Sequence, residues 1–138
     1  MPSHPAHNIN VTIERPPDEV YEFASKPENF PRWASGLATA IEAEGDHWVS
    51  ETPNGRVVIR FSPSNDLGVL DHRVTMPSGV EVYIPMRVVA NGEGSEVIFT
   101  LFRTPGMTDE ILARDVEWVQ GDLATLKQLL EGGGSEPA

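Results

Sequence analysis

The C-terminal part of the chain carries aliphatic residues at helical spacing, and this feature limits most strongly what the sequence can fold into. The residues are spaced 4, 3, 4, 3 and 4 positions apart and comprise Leu112, Val116, Val119, Leu123, Leu126 and Leu130. Such spacing places all of them on one face of a helix. About 23 residues at 1.5 Å per residue predict a helix roughly 35 Å long. Its apolar face has to be buried, and a sheet is the surface that is large enough.

The residues around this stripe predict where the helix begins and ends. Thr108 is a suitable N-cap, and the acidic side chains of Asp109 and Glu110 complement the positive end of the helix. Gly132 can adopt the left-handed conformation that often ends a helix. Gly121 costs about 1 kcal/mol in a helix interior. It permits close approach to the sheet, leaves room for a ligand, or is a tolerated defect.

The preceding residues show the patterns of strands and short helices. Residues 8–15 alternate between apolar and polar side chains, and Pro16 and Pro17 then end that strand and open a short helix. A second short helix is predicted over residues 27–33. Further strands are predicted over residues 37–43, 47–51, 56–62, 68–76, 80–89 and 96–103. Short turns between successive strands favour an antiparallel meander.

The length of 138 residues is typical of a single domain, and a hydrophobic content of 39% is enough for a packed core. We expect residues 1–131 to form this domain. The glycine-rich residues 132–138 are expected to be a disordered tail.

The charge and the residue types exclude several classes of function. A formal charge of −11 and scattered basic residues argue against nucleic acid or an anionic membrane as a partner. The chain has no cysteine, which excludes disulfides, thiolate metal sites and cysteine nucleophiles. The histidines lack ligand-like spacing, and no nucleotide-binding glycine motif is present, so neither a metal nor a cofactor is expected. Without a signal peptide or a long apolar segment, the expected location is cytoplasmic.

Three segments resemble the polyketide cyclase/dehydrase and START-like (SRPBCC) superfamily. Residues 9–23 resemble its opening, in which a strand leads into a helix that begins with proline and acidic residues. Residues 29–33 (Asn-Phe-Pro-Arg-Trp) resemble the next helix, and residues 115–131 resemble the terminal helix. The resemblance implies an α+β helix-grip fold, in which a curved seven-stranded antiparallel sheet, two short helices and a long C-terminal helix surround an apolar cavity. Because this superfamily includes cyclases, lipid carriers, hormone and allergen-type binders and co-chaperone domains, function has to be argued from the site.

Strand alternation predicts which side chains face the cavity. The predicted inner faces are Val57, Ile59 and Phe61; Leu70, His72, Val74 and Met76; Val80, Val82, Ile84, Met86 and Val88; and Val97, Phe99, Leu101 and Arg103. His72 and Arg103 are the polar exceptions in this set, which makes them the first candidates for a functional role.

His72 has three interpretations. It is a core or rim histidine bonded to backbone or water, a ligand contact, or a general acid or base that acts near neutral pH. Asp71 cannot simply pair with it, because neighbouring side chains on a strand point to opposite faces.

The two candidate arginines also have alternatives. Arg103 precedes the segment that ends in Met107 and can hold a carboxylate or polarise a carbonyl at the cavity mouth, or form a salt bridge with a nearby acid. Arg87 faces outward by alternation. Pro85 in the middle of that strand, however, indicates an edge or a bulge that can reset the register.

The three tryptophans, Trp33, Trp48 and Trp118, are candidates for pocket walls, either by stacking on a ligand or by plain core packing. Trp118 shares its angular position on the helix with Asp115 and Asp122. The complete set of predicted ligand-binding residues is Trp33, Trp48, Phe61, His72, Arg87, Arg103, Met107 and Trp118.

Three functions remain open. The first, which we favour, is a non-catalytic carrier or sensor that binds a small apolar, aromatic or polyketide-like molecule. The second is a cyclase or dehydratase in which His72 acts as acid or base and Arg103 or Arg87 stabilises an enolate-like oxygen. The third is a protein-interaction domain with a filled core, similar to the co-chaperone branch. The expected partner is a small apolar molecule, and the chain is compatible with a homodimer.

Overall fold

The computed structural model describes residues 3–34 and 41–132. Its elements in chain order are β1 (Ala6–Ile13), α1 (Pro17–Ala24), a 3-10 turn (Pro27–Asn29), α2 (Phe30–Trp33), β2 (Glu42–Glu44), β3 (His47–Thr52), β4 (Gly55–Phe61), β5 (His72–Thr75), β6 (Glu81–Ile84), β7 (Met86–Asn91), β8 (Gly94–Phe102) and α3 (Asp109–Glu131). Most of the strand predicted over residues 37–43, and the tail beyond residue 132, lie outside the described residues. In the described part, no helix is long and apolar enough to span a bilayer.

The strands form two antiparallel sheets. One has the order β1-β8-β7 and the other the order β2-β3-β4-β5-β6. Within the described residues there are eight strands where the sequence predicts seven, because the strand predicted over residues 80–89 is divided at Pro85 into β6 and β7. Proline has no N–H to donate to a ladder, so the pairing changes there.

The two sheets meet beside Pro85 and then diverge. The backbone N–H of Leu70 donates to the carbonyl of Met86 at 2.8 Å, and that of Val88 donates to the carbonyl of Gly68 at 2.9 Å. Beyond these bonds β6 pairs with β5, whereas β7 pairs with β8. Among the described strands no ladder joins β6 to the last part of β8. The sheet is therefore open at this point.

Helix α3 begins as the sequence predicts. The Thr108 hydroxyl accepts a hydrogen bond from the backbone N–H of Ile111 at 3.1 Å, and Asp109 and Glu110 occupy the first turn. The predicted N-cap is confirmed by this bond, which satisfies one of the unpaired donors at the start of the helix.

The predicted end of α3 is wrong in its conformation. Gly132 has a φ of −84° and remains in the right-handed region. Arg15 supplies the closure instead, because its guanidinium donates to the carbonyl of Leu130 at 3.0 Å and to that of Glu131 at 3.3 Å. A cation bonded to the last carbonyls satisfies these acceptors and also complements the negative end of the helix.

The apolar stripe of α3 is buried unevenly along its length. Its C-terminal members Leu123, Leu126 and Leu130 are buried in the main core, whereas the earlier members are half-buried. Gly121 is exposed, and an added Cβ would meet no atom within 4 Å. Close approach to the sheet is thus the wrong explanation for this glycine. The second half of α3 therefore packs tightly on the main core, whereas the first half is packed less closely against the sheet.

Candidate functional site

A main pocket lies where the first half of α3 faces the opened sheet. It has a volume of about 240 Å³. Strands β5, β6 and β8 supply apolar walls that include Val74, Ile84 and Leu101. The predicted inner-face residues Met76 and Val82 also line it and are 38% exposed. Their exposure follows from the divergence of the sheets, which leaves this end of the pocket open.

An inner pocket adjoins the main one. Its volume of about 10 Å³ is close to the lower limit for one water molecule. Phe30, Trp33 and His72 line both spaces. These residues therefore form the polar and aromatic inner end of the main pocket.

Phe30 makes edge-to-face contacts with three other rings at this inner end. Its ring centroid lies 5.2 Å from those of Trp33 and Phe61 and 5.5 Å from that of His72. Such contacts restrain the ring orientations beyond the effect of burial alone. The short helix α2 thus positions two aromatic side chains, from Phe30 and Trp33, against β4 and β5.

His72 is buried, at 4% exposure, and its Nδ1 lies 3.0 Å from the carbonyl oxygen of Leu70. Because a carbonyl only accepts, Nδ1 carries the hydrogen and Nε2 carries the lone pair of the neutral ring. Burial lowers the pKa of His72 below its usual value, and the Leu70 carbonyl and the charge of Asp71 oppose this effect only in part. At neutral pH the ring is therefore neutral and offers an acceptor to the pocket.

Trp33 supplies a complementary donor. It is 3% exposed, and its Nε1 is the buried side-chain polar atom that lacks a hydrogen-bond partner among the described residues. A buried N–H without a partner costs about 1–3 kcal/mol. The inner end thus combines one unused donor with one histidine acceptor.

The charged side chains at the main pocket are acidic. Asp115 and Asp122 of α3 line it together with Trp118, and no described lining residue is Lys or Arg. Asp115 Oδ1 is 3.5 Å from Nη2 of the exposed Arg114. In the described parts of the chain, no three His, Asp or Glu side chains are grouped as a metal site would require.

Four of the predicted ligand-binding residues lie at these pockets. Trp33, His72 and Trp118 line the main pocket, and Phe61 lines the inner pocket with Trp33 and His72. Trp48 lies on β3 opposite Ile59 and packs partly buried against the core. It is not among the residues that line either pocket.

The structure places the remaining predicted residues elsewhere. Arg87 lies on the outer face of the sheet, where its Nη1 is 2.5 Å from Asp71 Oδ1, because alternation along β7 directs it away from the helix. Arg103 binds Asp109 at 2.8 Å and the Met107 carbonyl at 3.0 Å. The salt-bridge alternative for Arg103 is therefore the one observed, and Arg103 and Met107 stabilise the loop before α3.

Several pocket residues were missed as site residues, among them one aromatic and two acidic side chains, Phe30, Asp115 and Asp122. Phe30 belongs to the segment 29–33 that resembles the family, but that resemblance marks a helix and not a pocket residue. Asp115 and Asp122 had a usable signal, because they share the angular position of Trp118 on α3.

The neutral state of His72 predicts a loss of stability in mild acid. As the pH falls below the usual histidine value of 6.5, the unfolded chain takes up a proton that folded His72 resists. The free energy of unfolding then decreases, by at most about 1.4 kcal/mol per pH unit for one group. The stabilisation that comes from neutral, buried His72 is therefore fully present above the usual histidine pKa and is lost as the pH falls below it.

Urea unfolding of the wild type and of His72→Gln at pH 7, 6 and 5 measures this effect. The variant should lose less stability than the wild type over this range. The pKa values of Glu96 and Glu131 are lowered, chiefly by hydrogen bonds from Thr12 and Lys127, respectively, but both groups are present in the two proteins, so their contribution cancels in the comparison. Parallel pH curves for the two proteins would contradict the prediction.

These features define a class of protein. A long C-terminal helix that lies across curved antiparallel strands, with an apolar pocket between them, is the helix-grip fold of the START-like (SRPBCC) superfamily. The family model described as "Polyketide cyclase / dehydrase and lipid transport" matches residues 8–131, and the chain belongs to this family. No curated protein is significantly similar to it in sequence.

Solved structures share the fold. The crystal structure of DynU16, a protein of the dynemicin biosynthetic locus, aligns with a TM-score of 0.71 at 18% identity, over 93% of this chain and 48% of DynU16. The Aha1 dimer from Colwellia psychrerythraea gives 0.70 at 18% identity, over 94% and 98% of the two chains. The crystal structure of Ara h 8.0201 aligns with a TM-score of 0.66 at 13% sequence identity, over 93% of this chain and 98% of Ara h 8.0201. The chain thus spans about half the length of DynU16. At these identities the likeness concerns the fold alone.

Proposed function

We propose that the protein is a non-catalytic carrier or sensor that binds a small apolar, aromatic or polyketide-like molecule in the main pocket. The observation that carries this proposal is an apolar cavity of about 240 Å³ whose inner end offers one donor and one acceptor. An apolar cavity of about 150 Å³ holds benzene, so this one suits a molecule of about two fused rings. Burial of the rings supplies the affinity, and Trp33 and His72 orient one polar group.

Two observations favour a carrier over the other functions. The enzyme hypothesis assigns the stabilisation of an enolate-like oxygen to Arg103 or Arg87, but these side chains bind Asp109 and Asp71 outside the pocket. An interaction domain of the co-chaperone type would have a filled core, whereas the main pocket leaves a cavity beside His72.

The cyclase or dehydratase remains the second candidate, and the neutral, buried His72 is the observation that favours it. Its Nε2 can accept a proton from a ligand hydroxyl or an activated carbon. His72→Ala separates the two functions. Loss of turnover with retained affinity would support an enzyme, and loss of affinity alone would support a carrier.

Filling the main pocket should weaken the binding of a ligand strongly. We expect Ile84→Trp to weaken the affinity for 2-naphthol, a neutral two-ring probe, by more than about tenfold, because the indole would occupy the volume that the probe needs. Isothermal titration calorimetry measures the change, and circular dichroism checks that the variant is folded. The matched control is Val89→Trp, an exposed β7 position that does not line this pocket.

Two further results bear on the proposal. The indole N–H resonance of Trp33, assigned with Trp33→Phe, should shift on binding of 2-naphthol, since this donor, which has no partner among the described residues, gains an acceptor. Equal affinities of the Ile84→Trp and Val89→Trp variants would contradict binding in the main pocket.

A further inference from the structure

The wall of the main pocket has an uneven distribution of charge, and this limits the chemistry of the ligand. Its charged groups among the described lining residues are the carboxylates of Asp115 and Asp122, both on α3. The nearby cation Arg114 is 3.5 Å from Asp115 and largely exposed, with a side-chain accessibility of 64%. Such an exposed pair is screened by water and does not reverse the sign of the local potential. A ligand group at this wall therefore meets a negative field.

The two carboxylates flank an aromatic side chain. Asp115, Trp118 and Asp122 lie on one face of α3, and the two aspartates are about 10 Å apart along the helix axis. Trp118 is 45% exposed between them. An indole ring and carboxylates that line the same pocket both favour a cation, the ring by cation–π and the carboxylates by Coulomb interactions. This part of the wall thus resembles a receptor for an ammonium group.

The inner end has a different polarity. Among the described residues the Trp33 N–H has no hydrogen-bond partner. His72 is neutral because it is buried, and since its Nδ1 donates to the Leu70 carbonyl, Nε2 is an acceptor. Neither group carries a full positive charge, so a carboxylate has no counter-ion there and would be desolvated at a cost. A hydroxyl, which both accepts and donates, complements the two groups.

We infer that the ligand of the main pocket is an amine-bearing apolar molecule, with its protonated amine beside Asp115, Trp118 and Asp122 and an uncharged oxygen at Trp33 and His72, and that the pocket discriminates against carboxylates. This inference rests on the proposed function and names the chemical class of the molecule bound. It separates the ligand from fatty acids and other anionic amphiphiles, which need a cation on the pocket wall.

Three probes with the same apolar body test the inference: 1-naphthylmethylamine, 1-naphthalenemethanol and 1-naphthoate. Calorimetry on the full chain should show that the amine binds most tightly, the alcohol less tightly and the carboxylate most weakly. The affinity should differ about fivefold between successive probes, as expected for one partly exposed charge pair, and these differences should become smaller with added salt. In Asp115→Asn/Asp122→Asn the amine and the alcohol should bind with nearly equal affinity.

The matched control is Glu110→Gln/Glu117→Gln, which removes the same charge from exposed positions of α3 that do not line the pocket. It should keep the order of the three probes. A carboxylate that binds as tightly as the amine, or an equal effect of the two double variants, would overturn the inference and leave the proposed function standing. Failure of all three probes to bind, the alcohol included, would overturn both.

Discussion

Replacing Gly68 with alanine is expected to destabilise the protein by about 3 kcal/mol or more, a large change for one methyl group. Gly68 has a φ of +73°, which costs an L-residue about 1–2 kcal/mol. In addition, an added Cβ would clash with the carbonyl oxygen of Val88. The Gly68 carbonyl accepts from the Val88 N–H at 2.9 Å, so the clash falls on a bond that joins the two sheets.

The segment around Gly68 cannot easily move away from this clash. The Asn65 side-chain oxygen accepts from the N–H groups of Leu67 and Val69 at 2.9 and 3.1 Å. The Tyr21 hydroxyl accepts from the Asn65 N–H at 2.9 Å and ties the loop to α1. Relief of the overlap would break some of these bonds, which adds to the cost.

Gly92→Ala is the matched control. Its φ of +60° is also left-handed, but an added Cβ would meet no atom within 4 Å. The free energy of unfolding of Gly92→Ala should decrease only by the conformational cost of about 1–2 kcal/mol. Urea unfolding of both variants measures the difference, and equal losses would show that the contact with Val88 carries no energy.

Leu126→Ala is expected to cost about 2–5 kcal/mol. Leu126 is 0% exposed and belongs to the same buried cluster as Ile13, Ile59 and Val97. Truncation removes buried methyl groups and leaves a cavity where helix and sheet meet, and close-packed surroundings relax only partly.

The control for this prediction lies on the same helix. Ile111 is 36% exposed at the first turn, and Ile111→Ala should cost less than about 1 kcal/mol. Both values come from denaturant midpoints at constant m. Because Leu126 does not line the main pocket, 2-naphthol should still bind to folded Leu126→Ala. A cost for Leu126→Ala as small as that for Ile111→Ala would show that the second half of α3 does not hold the core.

Much of the architecture was predictable because its signals are local. The 3-4 spacing from Leu112 to Leu130 fixes which face of α3 is apolar, and Thr108 marks its start, whatever the rest of the chain does. Alternation placed His72 on the inner face and Asp71 on the outer face, as observed. The family resemblance supplied the order in which these elements pack.

The sequence alone could not determine the tertiary partners. Arg103 had an acid and a cavity within reach, and the packing of the loop before α3 directed it to Asp109. The change of sheet at Pro85 depends on which strand lies beside each half of residues 80–89, although the missing N–H was visible. Asp115 and Asp122 became pocket residues because the sheet opens beneath the first half of α3.

The long helix, its apolar face and the alternating strands were therefore determined by the sequence itself, since side-chain direction within one element depends on neighbours a few residues away. The pocket, its donor and acceptor at Trp33 and His72, and its acidic wall were decided by the tertiary structure. These features depend on distances between segments that are remote in the chain, which are set only when the whole core packs.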